Sequence, residues 1–262
     1  MSVLLCVVGD VRGVTQLHDV VYIVCYKYST IIRFRATTRE RLTDINVKDL
    51  TAPNDIAACE RTSQLYVTDS PWNGTDECIW RVSSDGADIK RWLPKSPSRT
   101  FTPWTLSVTS SRLLVTLRFK DLIQFDAVGD ELRRVRLPSY MYLWHAVESP
   151  TGTFIVSHSN TQLNHQCQVS EVNTEGEVLR QFSRPLGTPE HIAVDSQGNI
   201  FVADRYNRRI LLLDAQLALR RVIIDEHQLN YKHPWRLCYK EQSGQLLVGF
   251  LDDVAMFDVL QR

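Results

Sequence analysis

The sequence predicts an all-β fold: a single six-bladed propeller of four-stranded antiparallel blades, closed by its own N-terminal strand. Three observations lead there. A strand–turn–strand–loop–strand pattern, clearest from His191 to Asp214, recurs six times along the 262 residues. The copies begin about 40 to 50 residues apart, the spacing of propeller blades. Five copies carry a fourth apolar stretch, whereas the sixth lacks one and the N-terminus holds a strand without a unit of its own.

The clearest copy shows the physical basis of the pattern. Ile192 and Val194 alternate with small or polar neighbours, then Asp195-Ser-Gln-Gly198-Asn199 supplies turn chemistry, with Gly198 free to take positive φ. Ile200 and Val202 resume the period of two, and Ile210 to Leu213 forms a third apolar run.

In chain order, the orphan strand Ser2 to Val8 comes first. Blade 1 (11–50) opens at Val11-Arg-Gly-Val-Thr15 and continues through Val21–Val24, Ile31–Phe34 and a fourth strand near Leu42 to Val47. Blade 2 (51–95) opens at Pro53-Asn-Asp-Ile-Ala57, followed by Leu65–Thr68, Ile79–Val82 and Ile89–Leu93. Blade 3 (101–138) opens at Pro103-Trp-Thr-Leu-Ser107, with Leu113–Thr116, Leu122–Phe125 and Leu132–Leu137. Blade 4 (141–183) opens at Leu143-Trp-His-Ala-Val147, with Phe154–Ser157, Cys167–Ser170 and Val178–Phe182. Blade 5 (187–225) opens at Pro189-Glu-His-Ile-Ala193 and ends with Leu219–Ile224. Blade 6 (232–260) opens at Pro234-Trp-Arg-Leu-Cys238, with Leu246–Gly249 and Val254–Phe257, and takes residues 2–8 as its fourth strand. That exchange removes the exposed edges an open stack would leave. The stretch Pro94 to Thr100 reads as a loop between blades.

At 44% hydrophobic residues the chain has enough apolar material for a substantial core, and the unbroken repeat argues for one domain. No apolar run approaches the ~20 residues a bilayer needs. Gly9-Asp10 interrupts the apolar N-terminus and no basic stretch precedes it, so no signal peptide is expected. The six cysteines fall mostly on predicted strands, without CxxC or metal-ligand spacing. They read as reduced core residues of a cytoplasmic protein. Asn73-Gly-Thr75 would be a glycosylation acceptor only in a secreted chain. Formal net charge is zero, which gives no global case for nucleic acid, and DNA and membranes are not expected partners.

The loops sort onto two faces. Those joining second to third strands, and blade to blade, share an upper face carrying Tyr26-Lys27-Tyr28, Trp72, Arg118 to Lys120, His158, His165, Arg205 to Arg209, Tyr142, Trp144, His233, Trp235 and Arg236. The lower face collects polar turns with almost no aromatic residues. Stacking surfaces combined with cations suit single-stranded RNA, and the same residue types dominate protein-interface anchors. The expected ligand-binding residues are Tyr26, Lys27, Arg118, Lys120, Arg205, Tyr206, Arg208 and Arg236. Trp80 and Trp92, on predicted strands, read as core.

Gly13, Asp55, Thr105, His145, His191 and Arg236 occupy equivalent positions where the innermost strands begin. They are expected to ring the upper mouth of the central channel as a hydrated polar set. Zinc generally takes three or four ligands, and the ring offers only two His and one Asp, with Asp55 offset around it and His158 a further candidate. No metal or other cofactor is therefore assigned. There is no GxSxG, HExxH, P-loop or GxGxxG, hence no catalytic constellation. Asp69, Asp204 and Asp195 are expected to serve structural roles, accepting hydrogen bonds from loop and turn backbone.

Residues 189–214 resemble the NHL repeat, in the order Pro-x-x-Ile-Ala-Val-Asp-x-x-Gly-Asn-Ile-Phe-Val-Ala-Asp-x-x-Asn-x-Arg-Ile, with Arg208 replacing the family's naming His. The other five units match in outline. The resemblance implies a recognition module like the C-terminal propeller of tripartite-motif proteins. It would be monomeric as an isolated domain and bind RNA or a protein or peptide on the upper face, with RNA placed first. The chain contains no RING, B-box or coiled coil. Related six-bladed enzymes, an amidating lyase and metal-dependent lactonases, imply the alternative of an enzyme using His145 and His191, for which no third His stands at an equivalent position.

Overall fold

The computed structural model describes residues 3–6, 9–71, 76–94, 101–109, 112–118, 120–182 and 184–259. Trp72, the Asn73 sequon and residues 95–100 lie outside them. Strand β1 (Val3–Cys6) precedes six repeating groups. Blade 1 is β2 (Val11–Leu17), β3 (Val20–Cys25), β4 (Thr30–Arg35) and β5 (Ile45–Asn46). Blade 2 is β6 (Pro53–Cys59), β7 (Gln64–Asp69), β8 (Cys78–Ser83) and β9 (Ile89–Leu93). Blade 3 is β10 (Pro103–Thr109), β11 (Arg112–Leu117), β12 (Asp121–Phe125) and β13 (Glu131–Arg136). Blade 4 is β14 (Met141–Glu148), β15 (Phe154–Asn160), β16 (Gln166–Val172) and β17 (Val178–Gln181). Blade 5 is β18 (Pro189–Val194), β19 (Ile200–Asp204), β20 (Arg209–Leu213) and β21 (Leu219–Ile224). Blade 6 is β22 (Arg236–Lys240), β23 (Gln245–Gly249) and β24 (Asp253–Asp258).

Each blade is a four-stranded antiparallel meander, and the sixth has the order β1-β24-β23-β22. Val3 to Cys6 pair with Met256 to Asp253, so the first strand is the outer strand of the last blade. No helix of the described residues is long and apolar enough to cross a membrane.

The core is six separate clusters, each lying between two neighbouring blades. Leu17, Tyr22, Val24 and Ile31 meet Ile56, Leu65 and Val67 between blades 1 and 2. Corresponding clusters follow between blades 2 and 3, 3 and 4, 4 and 5, and 5 and 6. The ring closes where Val21, Ile23 and Cys25 of blade 1 meet Leu247, Val254 and Met256 of blade 6. The second strand of a blade therefore faces apolar neighbours on both sides. That is why Val20–Cys25 reads as a continuous apolar run rather than an alternating one, and why Leu65, Tyr66 and Val67 are all buried. Trp92 packs in the cluster between blades 2 and 3, and Trp80 packs against the one between blades 1 and 2.

Two carboxylates pin the connections into the blades. Asp69 accepts hydrogen bonds from Thr51 N, Ala52 N and the Trp80 indole. Its counterpart Asp204 accepts from Gly187 N, Asn207 Nδ2 and Arg209 Nε. Asp195 closes its turn by accepting from Gln197 N and Asn199 N. Cys25, Cys59, Cys78, Cys167 and Cys238 are free thiols, and burial pushes Cys25 and Cys78 up to about 12.

Candidate functional site: the upper face and its buried ring

A β-bulge builds the site. In β2, β6, β10, β14 and β18 the pairing with the next strand slips by one residue just after the strand begins. The residues at the slip are Arg12, Asn54, Trp104, Trp144 and Glu190, and Trp235 immediately precedes β22 in blade 6. A bulge re-aims side chains and bends the strand. The next residue in every blade is the ring residue: Gly13, Asp55, Thr105, His145, His191 and Arg236. Two tiers result. Of the six in the first tier only Asn54 is buried, and the second tier lies in the interior.

The second tier corrects the expectation of a hydrated channel mouth. Asp55, Thr105 and His145 are each 1% exposed, Arg236 is 2% and His191 is 7%. Arg236 is thus removed from the ligand-binding face. Its guanidinium donates to the carbonyls of Asn54 (3.2 Å) and Trp235 (3.1 Å), and its Nε lies 3.7 Å from Asp55 Oδ1. Blade 1 approaches blade 2 closely at Gly13, where an added Cβ would sit 2.6 Å from Ile56 N and 3.0 Å from the Asp55 backbone.

The ring serves the backbone around it. An innermost strand has an unpaired edge, and its buried N–H groups need acceptors. Asp55 Oδ1 accepts from Ile56 N at 3.0 Å and Oδ2 accepts from Leu106 N at 2.9 Å. His145 Nε2 donates to Leu106 O at 3.2 Å, while its Nδ1 accepts from Ile192 N at 3.4 Å. This arrangement requires the neutral imidazole. Burial drives His145 down to about 3 and holds His191, stacked on it at 3.6 Å between ring centroids, well below the ordinary histidine value. Burial raises Asp55 to about 6, opposed by Arg236 and the two backbone donors.

One donor atom each from Asp55, His145 and His191 lies within 4.8 Å of the others, a spacing a metal could span. The chemistry does not fit. Both Asp55 oxygens and both His145 nitrogens are already hydrogen-bonded, and the Arg236 cation sits beside the carboxylate. Of the three, only His191 keeps a free buried nitrogen, Nδ1. His158 adds no ligand here. It is fully buried on β15 with Nε2 on Ser170 Oγ at 2.8 Å, which removes it from the upper face as well.

The first tier carries the exposed chemistry. Arg12 lies over Tyr26 (5.0 Å) and Trp235 (5.7 Å). Arg205 lies over the opposite neighbours Trp235 (3.7 Å) and Tyr206 (4.9 Å), and Lys27 over Tyr26 (5.3 Å). Lys27, Tyr26, Arg12, Trp235, Arg205 and Tyr206 thus form one continuous ladder across blades 1, 6 and 5. Around the ring, Arg118 lies 5.1 Å over Trp104. Each arginine has a carboxylate beside it: Arg12 with Asp10 at 2.6 Å, Arg205 with Glu190 at 3.6 Å, and Arg118 with Glu77 at 3.6 Å. Lys120 is exposed and Arg208 half-buried, and neither enters the ladder.

Sequence reasoning missed Arg12, Trp104 and Glu190. The signal was present one column before the ring column, where the six units read Arg, Asn, Trp, Trp, Glu, Trp.

The sequence matches no protein-family model and no curated protein. Similarity appears in three dimensions. A gluconolactonase from Xanthomonas campestris superposes with a TM-score of 0.72 at 13% identity, over 97% of this chain and 88% of that one. Virginiamycin B lyase from Staphylococcus aureus gives 0.65 at 12%, over 98% of both chains. The WD40 propeller domain of Doa1 gives 0.65 at 14%, over 99% of this chain and 96% of that one. Enzymes and binding modules stand side by side in this set, so at these identities the likeness shows the propeller fold alone.

Proposed function

We propose that this chain is a non-catalytic recognition module that holds a protein or extended peptide on its upper face. The observation that carries the reading is the ladder of Tyr26, Arg12, Trp235, Arg205 and Tyr206, with Trp104 and Trp144 completing the ring of bulge residues. Trp, Tyr and Arg are the residue types in which interface binding energy concentrates. The rungs are planar and already in mutual contact, so little side-chain entropy remains to be lost when a partner docks.

The pairing of charges favours protein over RNA. Arg12, Arg205 and Arg118 each stand beside a carboxylate, so few uncompensated cations remain to displace counterions from a phosphate backbone. NHL-like and tripartite-motif-like recognition belongs with this proposal. The gluconolactonase and lyase relatives motivate the enzymatic alternative, but the engaged donors of Asp55 and His145 speak against a metal-dependent reaction at the ring.

The test is a selection of peptides from a random display library, followed by affinity measurements on the winners. Trp235→Ala and Arg205→Ala are expected to weaken binding on the order of tenfold or more, and Arg133→Ala on the outer strand β13 to leave it unchanged. A pool of random single-stranded RNA is run in parallel at low salt. Capture of RNA that falls steeply with salt and disappears in Arg205→Glu would overturn the protein reading in favour of RNA.

A further inference from the structure

The upper face carries an arc of exposed apolar side chains beside the ladder. Tyr206 lies on the β19–β20 loop, Tyr231 on the connection from blade 5 to blade 6, Leu251 on the β23–β24 loop and Tyr28 on the β3–β4 loop. All four are between 42 and 61% exposed. Large apolar groups left in water on successive loops mark a docking surface, unlike single ones scattered over a surface. The loops are also fastened to one another. The Tyr206 ring meets His233 edge-on at 6.1 Å, and Lys232 pairs with Asp252. Leu251 O accepts from Val11 N at 2.8 Å, and Asp10 O accepts from Tyr26 N at 2.8 Å. The arc from blade 5 through blade 6 to blade 1 is therefore held in shape before a partner arrives, which lowers the ordering cost of docking.

Charge along the arc follows a pattern. Arg12 has Asp10 beside it, Arg205 has Glu190, Arg209 has Asp204, and Lys232 has Asp252 and Asp253. Lys27 and Arg208 have no carboxylate partner among the described residues. Lys27 stands at the blade 1 end of the ladder, and Arg208 follows Tyr206 in the loop at the blade 5 end. Every cation in the middle is thus matched, and unmatched positive charge is left at the two ends.

Charge complementarity turns that pattern into a rule for the partner. Along the ladder, five steps of 3.7 to 5.7 Å lead from Lys27 to the Tyr206 ring. An extended chain advances about 3.3 Å per residue, so about eight residues reach from one end to the other. Resting on the upper-face reading above, we propose that the partner is an extended peptide with an acidic residue near each end and an aromatic or apolar middle. The acidic ends meet Lys27 and Arg208, and the middle lies on the ladder.

Fluorescence anisotropy with three pools of labelled, terminally capped octapeptides tests this. All share a middle randomised over Trp, Tyr, Leu and Ser, and the two end positions are Glu, Gln or Lys. The Glu pool is expected to bind best, the Gln pool about fivefold weaker, the scale of two exposed ion pairs, and the Lys pool weaker still. Lys27→Gln combined with Arg208→Gln should bring the Glu pool down to the Gln pool without changing the melting temperature. Lys27→Glu combined with Arg208→Glu should invert the order in favour of the Lys pool. Arg133→Gln on β13 should alter nothing, and Trp235→Ala should weaken all three pools. Equal binding of the pools, lost in Trp235→Ala, would overturn the charge rule and leave the upper-face reading standing. A preference for acidic ends that survives the double Gln variant would do the same. So would silence from every pool when the display library does yield binders. If neither pools nor library bind, the upper-face reading falls with the rule.

Discussion

His145, His158 and His191 are neutral in the folded chain because burial disfavours their charged forms. Two of them are held at about 3 and about 4, below the ordinary value of 6.5. As pH falls below 6.5 the unfolded chain takes up protons at these positions and the folded chain does not. Their contribution to stability must therefore fall with falling pH between about 6.5 and 4. Asp55 acts in the opposite sense. Its folded value of about 6 lies above the unfolded 3.8, so it binds its proton more readily when folded and adds stability as pH falls through that window. Burial raises Glu77 and Glu190 as well, which adds to the Asp55 side, so the histidine contribution is read from the difference between the wild-type chain and a histidine variant and not from the net slope. His158→Gln keeps a donor toward Ser170 and should flatten the curve by about one proton, roughly 1.4 kcal/mol per pH unit. Melting curves across this range decide the matter, and an unchanged slope in the variant would show that His158 titrates normally.

At the scale of the element, the innermost strand does two jobs through one irregularity. The bulge turns residues such as Arg12 and Trp104 toward the upper face and drops the following residue into the ring. Gly13 is the position with least freedom. Its backbone lies so close to β6 that a Cβ would meet Ile56 N at 2.6 Å and the Asp55 backbone at 3.0 Å. Gly13→Ala should cost about 1 to 3 kcal/mol, because the clash is with backbone and not with a yielding side chain. Denaturant unfolding measures it. A loss below about 0.5 kcal/mol, the scatter of surface substitutions, would mean that β2 and β6 separate easily.

For the whole molecule, closure is the decisive term. Val3 to Cys6 pair with the outer edge of β24, and the sixth inter-blade core joins Val21 and Ile23 to Leu247 and Val254. Deleting residues 1–8 uncovers the β24 edge while leaving that core in place. The expected outcome is a clearly lower melting temperature and a tendency to associate through the bare edge, read by calorimetry and light scattering. A truncated chain that melts like the full one would show that the sixth inter-blade core, not the strand exchange, holds the ring shut.

By itself the sequence determined what local chemistry determines. Period-two runs placed the strands, and Asp195 to Asn199 placed a turn. The repeat set the number of blades, and the missing outer strand of blade 6 pointed to β1. The column of Gly13, Asp55, Thr105, His145, His191 and Arg236 was also legible, because equivalent positions in a repeat must be neighbours around an axis. Burial and partnership were not. Asn54 and Arg236 stand 182 residues apart and meet only when the ring closes. Only the tertiary structure made His158 a core residue, gave Arg12, Arg118 and Arg205 their carboxylates and left the channel open toward the lower face. A charge on a loop reads the same in sequence whether it is free or paired. Dielectric surroundings and partners come from the blades on either side, and those are fixed by closure of the ring.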